Sequence, residues 1–254
     1  IHMAIQIVPK SEQAYGAFNG GEIVENKPIG FNREGGKLKA YSNLFYWAFA
    51  EARVDSTIGL HPHQGFEIMS FVLNGEIRHY DTAGKKWISL VTGDVQIIRS
   101  GSGISHAEFM AEGAQMFQIW FDPGLQTSIQ KSASYNDYKK EEFENETVNG
   151  TEETFLVGPK GKIQMDSAGV EISRMKLPAG SAVIPATESE VLSVYVLQGS
   201  IQVQGEEVVK DDFILIQNEK TMEVESEQGA ELFLVRTPGS LPYSTYGELM
   251  QQQM

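Results

Sequence analysis

The stretch SFVLNGEI, residues 70–77, returns in altered form as VYVLQGSI, residues 194–201. A second pair follows each copy, GDVQII at residues 93–98 and DDFILI at residues 211–216. Gly75 and Asp94 are 19 residues apart, whereas Gly199 and Asp212 are 13 apart. The longer hairpin YDTAGKKW in the first copy accounts for the difference. Each copy reads strand, glycine turn, strand, strand, aspartate turn, strand. Self-similarity at this scale marks a duplicated unit. Two copies in 254 residues predict an all-β chain of two similar β-barrels in tandem.

The rest of the chain supports that fold. Short runs rich in Val, Ile, Phe, Tyr and Trp, such as KWISLV, QMFQIWF and AELFLVRTP, end at Gly, Asp, Asn or Pro, the pattern of strands and turns. Two stretches, near Tyr135–Glu144 and Tyr246–Gln253, are expected to be helical. The segment 122–154 is polar and charged and reads as a surface crossover. The expected boundaries are therefore 3–121 for the first barrel, 155–238 for the second and 239–254 for a tail.

Composition narrows the function. A hydrophobic share of 41% and a charged share of 21% are those of a globular protein, and no run of 18 apolar residues suggests a membrane span. IHMAIQIVPK lacks the basic-then-apolar order of a secretory signal. Ile1–Met3 reads as a vector-derived remnant before a start at Met3, and a cytoplasmic location is expected. There is no cysteine, which excludes disulfides, zinc–thiolate sites and thiol nucleophiles. The net charge of −14 repels phosphate backbones and anionic bilayers. Neither nucleic acid nor membrane is expected as a partner, and a protein partner would be favoured if basic. The sequons at Asn145 and Asn149 stand without a secretory signal.

Five histidines occur: His2, His61, His63, His79 and His106. In LHPHQGFE, residues 60–67, Pro62 pushes His61 to extended backbone. Side chains at i and i+2 of a strand share a face, so His61 and His63 project together. The same spacing recurs at His106 and Glu108, just after the turn-forming Gly101-Ser-Gly103, which no helix pattern follows. Three imidazoles and a carboxylate in paired strand positions suit Fe(II), Mn, Co, Ni, Cu or Zn. A six-coordinate ion held by four such ligands keeps two positions for water, substrate or dioxygen. The second repeat is an internal control. By spacing, Pro185, Thr187, Val224 and Ser226 stand where the four ligands would be, and none can bind a metal in that way. His79 reads as a hairpin residue partnered by Arg78 or Asp81. Glu67 is a candidate fifth ligand, a nearby base or a local pairing group, and Gln118 a candidate for orienting the ligands.

The stretches HPHQGFE, VLNGEIRHYD, GDVQIIRSGSGISHAEFM and FQIWFDP, within residues 60–122, resemble the pirin family of bicupins. The resemblance implies two cupin (jelly-roll) barrels, with one divalent metal, Fe(II) foremost, held by His61, His63, His106 and Glu108. It further implies an oxidoreductase of the quercetin 2,3-dioxygenase type, acting with dioxygen on a flavonol or small aromatic enol. Glu108 would take the substrate's hydroxyl proton. The alternative it carries is a non-enzymatic metal-binding protein that serves as the redox-sensing partner of a regulator or enzyme. An isomerase or sugar-binding role rests on fold alone. Asp122 stands where some members have asparagine. A monomer is expected.

Overall fold

Strand alternation and the duplicated turns dictate two separate sheet systems, and the computed structural model contains both. It describes residues 4–253. The expected remnant and start at Ile1–Met3, and the last residue of the tail, lie outside the described residues.

In the first barrel, seven antiparallel strands run in the order Ser134–Tyr138, Val95–Arg99, Glu67–Asn74, Gln115–Phe121, Leu44–Ala52, Ile23–Ile29 and Ala14–Phe18. A four-stranded sheet, Ser56–His63, Ile104–Met110, Glu76–Asp81 and Trp87–Val91, completes it. Ile23, Ala50, Val72, Ile77, Leu90, Met110 and Met116 pack together inside. Small Ala50 and Ala52 opposite larger neighbours let the layers interdigitate. The other face of the long sheet buries Trp47 edge-on to Phe117, with centroids 5.3 Å apart.

The second barrel orders Ile5–Val8, Phe213–Gln217, Glu190–Val203, Ala230–Pro238, Glu171–Leu177, Thr151–Val157 and Glu144–Val148. Gly180–Pro185 pairs with Thr221–Ser226, and Glu206–Val209 with Glu190–Val203. Its interior, including Ile184, Leu192, Val194, Val196, Met222 and Val224, is apolar.

The repeat has a physical basis. Gly75 and Gly199 turn with φ of +78° and +72°, a region open chiefly to glycine. A Cβ on Gly199 would come within 2.5 Å of the Gly229 carbonyl oxygen. Asp94 accepts hydrogen bonds from the Val91 and Lys140 backbone N–H groups, and Asp212 accepts from those of Val209 and Lys10. Each aspartate thus closes its own turn and anchors a segment from elsewhere in its unit.

The sequence-drawn boundaries shift. One unit comprises 13–142 with 243–253, and the other comprises 4–12 with 143–242. Ile5–Val8 is an edge strand of the second barrel because it pairs with Phe213–Gln217. The expected crossover contributes strand Ser134–Tyr138 to the first barrel and the hairpin Glu144–Val157 to the second. The helix expected near Tyr135–Glu144 is instead this strand followed by a single 3-10 turn, Lys140–Glu142. The free edge of Val95–Arg99 supplies ladder bonds that local propensity does not reveal. The tail helix is present as Tyr246–Gln252, with Thr245 and Glu248 forming a capping box.

Asp122 ties that helix down. Its carboxylate accepts from the N–H groups of Gly124 (2.8 Å) and Tyr246 (2.6 Å), and its carbonyl accepts from the Tyr243 hydroxyl (2.7 Å). Asp122→Ala is expected to cost about 2 kcal/mol and to expose the chain beyond Tyr243 to protease. Urea unfolding and limited proteolysis measure both effects.

Candidate metal centre

The strand Ser56–His63 lies antiparallel to Ile104–Met110, with His61 opposite His106 and His63 opposite Ile104. This register brings the two histidine motifs together. The His106 Nε2 lies 2.9 Å from Nε2 of both His61 and His63. The candidate ligand atoms of the three residues all fall within 4.8 Å of one another. His61 Nδ1 is 2.7 Å from the Gly59 carbonyl oxygen. That bond places the proton on Nδ1 and leaves the Nε2 lone pair facing the cluster.

Electrostatics favour the neutral rings a metal needs. Burial, then the charges of His106 and His61, push His63 down to about 3. Burial, then His61 and His79, push His106 down to about 3 as well. Neutral imidazole nitrogens converging on one point suit a borderline divalent transition metal.

Glu108 sits beside this group rather than within it. A register shift separates it from His106, as a β-bulge does. Its Oε1 lies 3.9 Å from His106 Nδ1 and accepts a 2.7 Å hydrogen bond from Gln118 Nε2. Trp120 Nε1 in turn donates to Gln118 Oε1 at 3.2 Å. Burial raises the Glu108 carboxyl above its ordinary range, opposed by His61, His79 and the Gln118 bond. Gln118 thus holds the Glu108 carboxylate in place.

Glu67 does not join the cluster. It is buried and lies 3.8 Å from Arg99 Nε, so of its three readings local pairing holds. His79 is partnered by Asp81, as expected, at 2.7 Å. It is also closer to the centre than a hairpin residue would be, because Glu108 is its cross-strand neighbour. Its ring centroid lies 5.6 Å from that of His106.

A cavity of about 430 Å³ opens onto His61, His63 and Glu108, with Gln118 and Trp120 in its wall. Glu25, Lys27 and Tyr46 line it too. Sequence reasoning missed these three. The available signal was Glu25 and Lys27 at strand spacing in IVENKPI, on the side of the strand that faces the interior.

The second barrel has no such centre among the described residues. Register pairs Pro185 with Thr221 and Val224 with Ala182, so simple spacing misaligned the two strands. The conclusion is unchanged, since Ile184, Met222 and Val224 fill the interior.

Residues 35–121 match the Pirin family. A Pseudomonas aeruginosa relative with a provisional quercetin 2,3-dioxygenase name is 29% identical over 74% of this chain and 71% of its own. A pirin-like protein of Caulobacter vibrioides is 46% identical over a shorter segment, 32% of this chain and 35% of its own. A solved Escherichia coli bacterial pirin in complex with nickel(II) aligns with a TM-score of 0.78 at 19% identity, covering 93% of this chain and 100% of that one. At that identity the likeness is one of fold, and the fold is a bicupin.

Proposed function

Because the chain carries a pirin-family domain over residues 35–121, we propose that it is a metal-dependent dioxygenase of the quercetin 2,3-dioxygenase type, acting on a flavonol or related aromatic enol. The observation that carries this reading is the opening of His61 and His63 of the three-histidine cluster, together with Glu108, onto one cavity. A purely structural metal pin has no need of such a chamber.

His61, His63 and His106 would hold the metal through Nε2, with Glu108 as the fourth ligand. Fe(II) is the first choice, and the nickel of the Escherichia coli pirin shows what a related fold accepts. When bound, the metal supplies a Lewis acid and a path for electrons between an enolate and dioxygen. The residues themselves do the positioning. A flavonol's adjacent hydroxyl and ketone can face the histidines, while its rings lie against Trp120, Tyr46 and Phe31. Glu108 can accept the hydroxyl proton. Gln118, fixed by Trp120, keeps that carboxyl aimed at the cavity.

The test is anaerobic loading with Fe(II), then quercetin and air, following flavonol absorbance and oxygen uptake. Both should fall together, and both changes should vanish with a chelator or in Glu108→Ala. Stoichiometric metal without turnover would overturn the oxygenase reading in favour of a metal-dependent binding protein.

A further inference from the structure

Two charged side chains in the wall of the histidine cavity have no part in the chemistry above. Glu25 and Lys27 stand on the strand Ile23–Ile29 of the seven-stranded sheet, whereas the histidines project from the four-stranded one. Both line the same cavity, although Glu25 is only 7% exposed and Lys27 only 4%. Lys27 Nζ lies 2.5 Å from Glu34 Oε2 but 3.6 Å from Glu25 Oε1, above the rings of Tyr46 and Phe31. Lys27 is thus closer to Glu34 than to Glu25, and although the Tyr46 hydroxyl bonds to the Glu25 carboxylate, its Oε1 has no hydrogen-bond partner. The neighbouring strand places Gly16 opposite Glu25. A Cβ there would come within 2.9 Å of Glu25 Oε1 and 2.8 Å of Lys27 Cε, so the missing side chain makes room for the pair.

Stability does not explain this arrangement. A buried ion pair is often no better than an apolar replacement, and an unsatisfied buried carboxyl oxygen is a direct cost. A polar group in a cavity wall that the fold does not need is a candidate for ligand recognition.

We propose that Glu25, braced by Lys27, is a specificity-determining residue that accepts a hydrogen bond from a second hydroxyl of the substrate, on the side of the cavity formed by the seven-stranded sheet. This assignment rests on the flavonol-type reading of the site and narrows it. The substrate would be planar, with an enol–ketone edge for the histidine side and a separate phenolic hydroxyl for Glu25. Phe31, Tyr46 and Trp120, packed on one another, form an aromatic wall for the rings between those two ends. A site built to bond a hydroxyl discriminates strongly against an analogue lacking it, because its own polar group is then left unpaired.

Anaerobic titration of the nickel(II)-loaded full chain with two probes tests the proposal. Quercetin carries phenolic hydroxyls beyond its enol–ketone edge, and 3-hydroxyflavone has that edge alone. Glu25→Ala should weaken quercetin binding by about tenfold or more while moving 3-hydroxyflavone by less than about twofold. Glu25→Gln keeps an acceptor oxygen and should recover part of the difference. It also carries the test should the alanine variant fail to fold, as judged by metal content and unfolding temperature. Parallel losses for both probes, or no loss for either, would overturn the role of Glu25 and leave the flavonol reading standing. A wild-type protein that binds neither probe would overturn the flavonol reading and this assignment together.

Discussion

His106→Ala is expected to lower metal affinity by more than about 100-fold and to abolish any turnover that depends on the metal. Its Nε2 is the shared neighbour of the other two histidines, 2.9 Å from each. Without it, His61 and His63 are two half-buried donors on a single strand, and only Glu108, beside the cluster, remains on the strand opposite. Loss of groups that merely support metal ligands already costs about 10- to 100-fold, so loss of the proposed central ligand should exceed that. The control is His79→Ala. His79 bonds to Asp81 and makes no hydrogen bond to the cluster, so its removal should leave the site loaded. Metal content after dialysis, together with calorimetric titration, reads both variants. A His79→Ala protein as metal-poor as His106→Ala would show that the ligand set is misassigned.

Glu25→Gln is expected to stabilise the metal-free protein above neutral pH, with the gain shrinking as pH falls. Burial pushes the Glu25 carboxyl up to about 7, against the pull of Lys27 and with a further push from Glu34 and Glu108. The unfolded chain has an ordinary carboxyl near 4.5. Between those two values the folded state keeps the proton that the unfolded state has lost, so stability falls as pH rises through the window. Above about 7 both states are ionised and the whole cost is in force, on the order of 3 kcal/mol for a shift of this size. Below 4.5 both are protonated and the cost disappears. Glutamine has no proton to lose. Urea unfolding of both proteins at pH 8 and pH 5 should show a clear advantage for the variant at pH 8, reduced by more than half at pH 5. Equal advantages at the two pH values would mean that Glu25 carries no such penalty.

The two variants probe opposite kinds of legibility. His61, His63 and His106 could be singled out because rare residues at i, i+2 spacing on predicted strands leave few alternatives, and because the second repeat lacks them. Glu108 was equally visible, but its place beside the cluster was not. The shift in register after His106 depends on the pairing of three strands, which spacing does not encode. His79 looked like a hairpin residue because Asp81 is two positions away. Its approach to His106 follows from cross-strand packing alone. Glu25 and Lys27 were silent because a charged pair in a strand ordinarily means a solvated face.

From local pattern alone, the sequence determined that the chain is two repeated β-barrels, that strand-paired histidines occur only in the first, and that glycine and aspartate close the matching turns. These properties depend on alternation and on backbone conformations that few residues adopt, and both can be read within about ten positions. Only the tertiary structure decided where the units divide. Strand Ile5–Val8 finds its free edge more than 200 residues away at Phe213–Gln217, and the tail helix finds Asp122. Tertiary structure also decided that a buried carboxyl and ammonium share the histidines' cavity. Edge pairing and cavity walls are made by residues distant in the chain, and the free energy that brings them together belongs to the packed fold and not to any one segment.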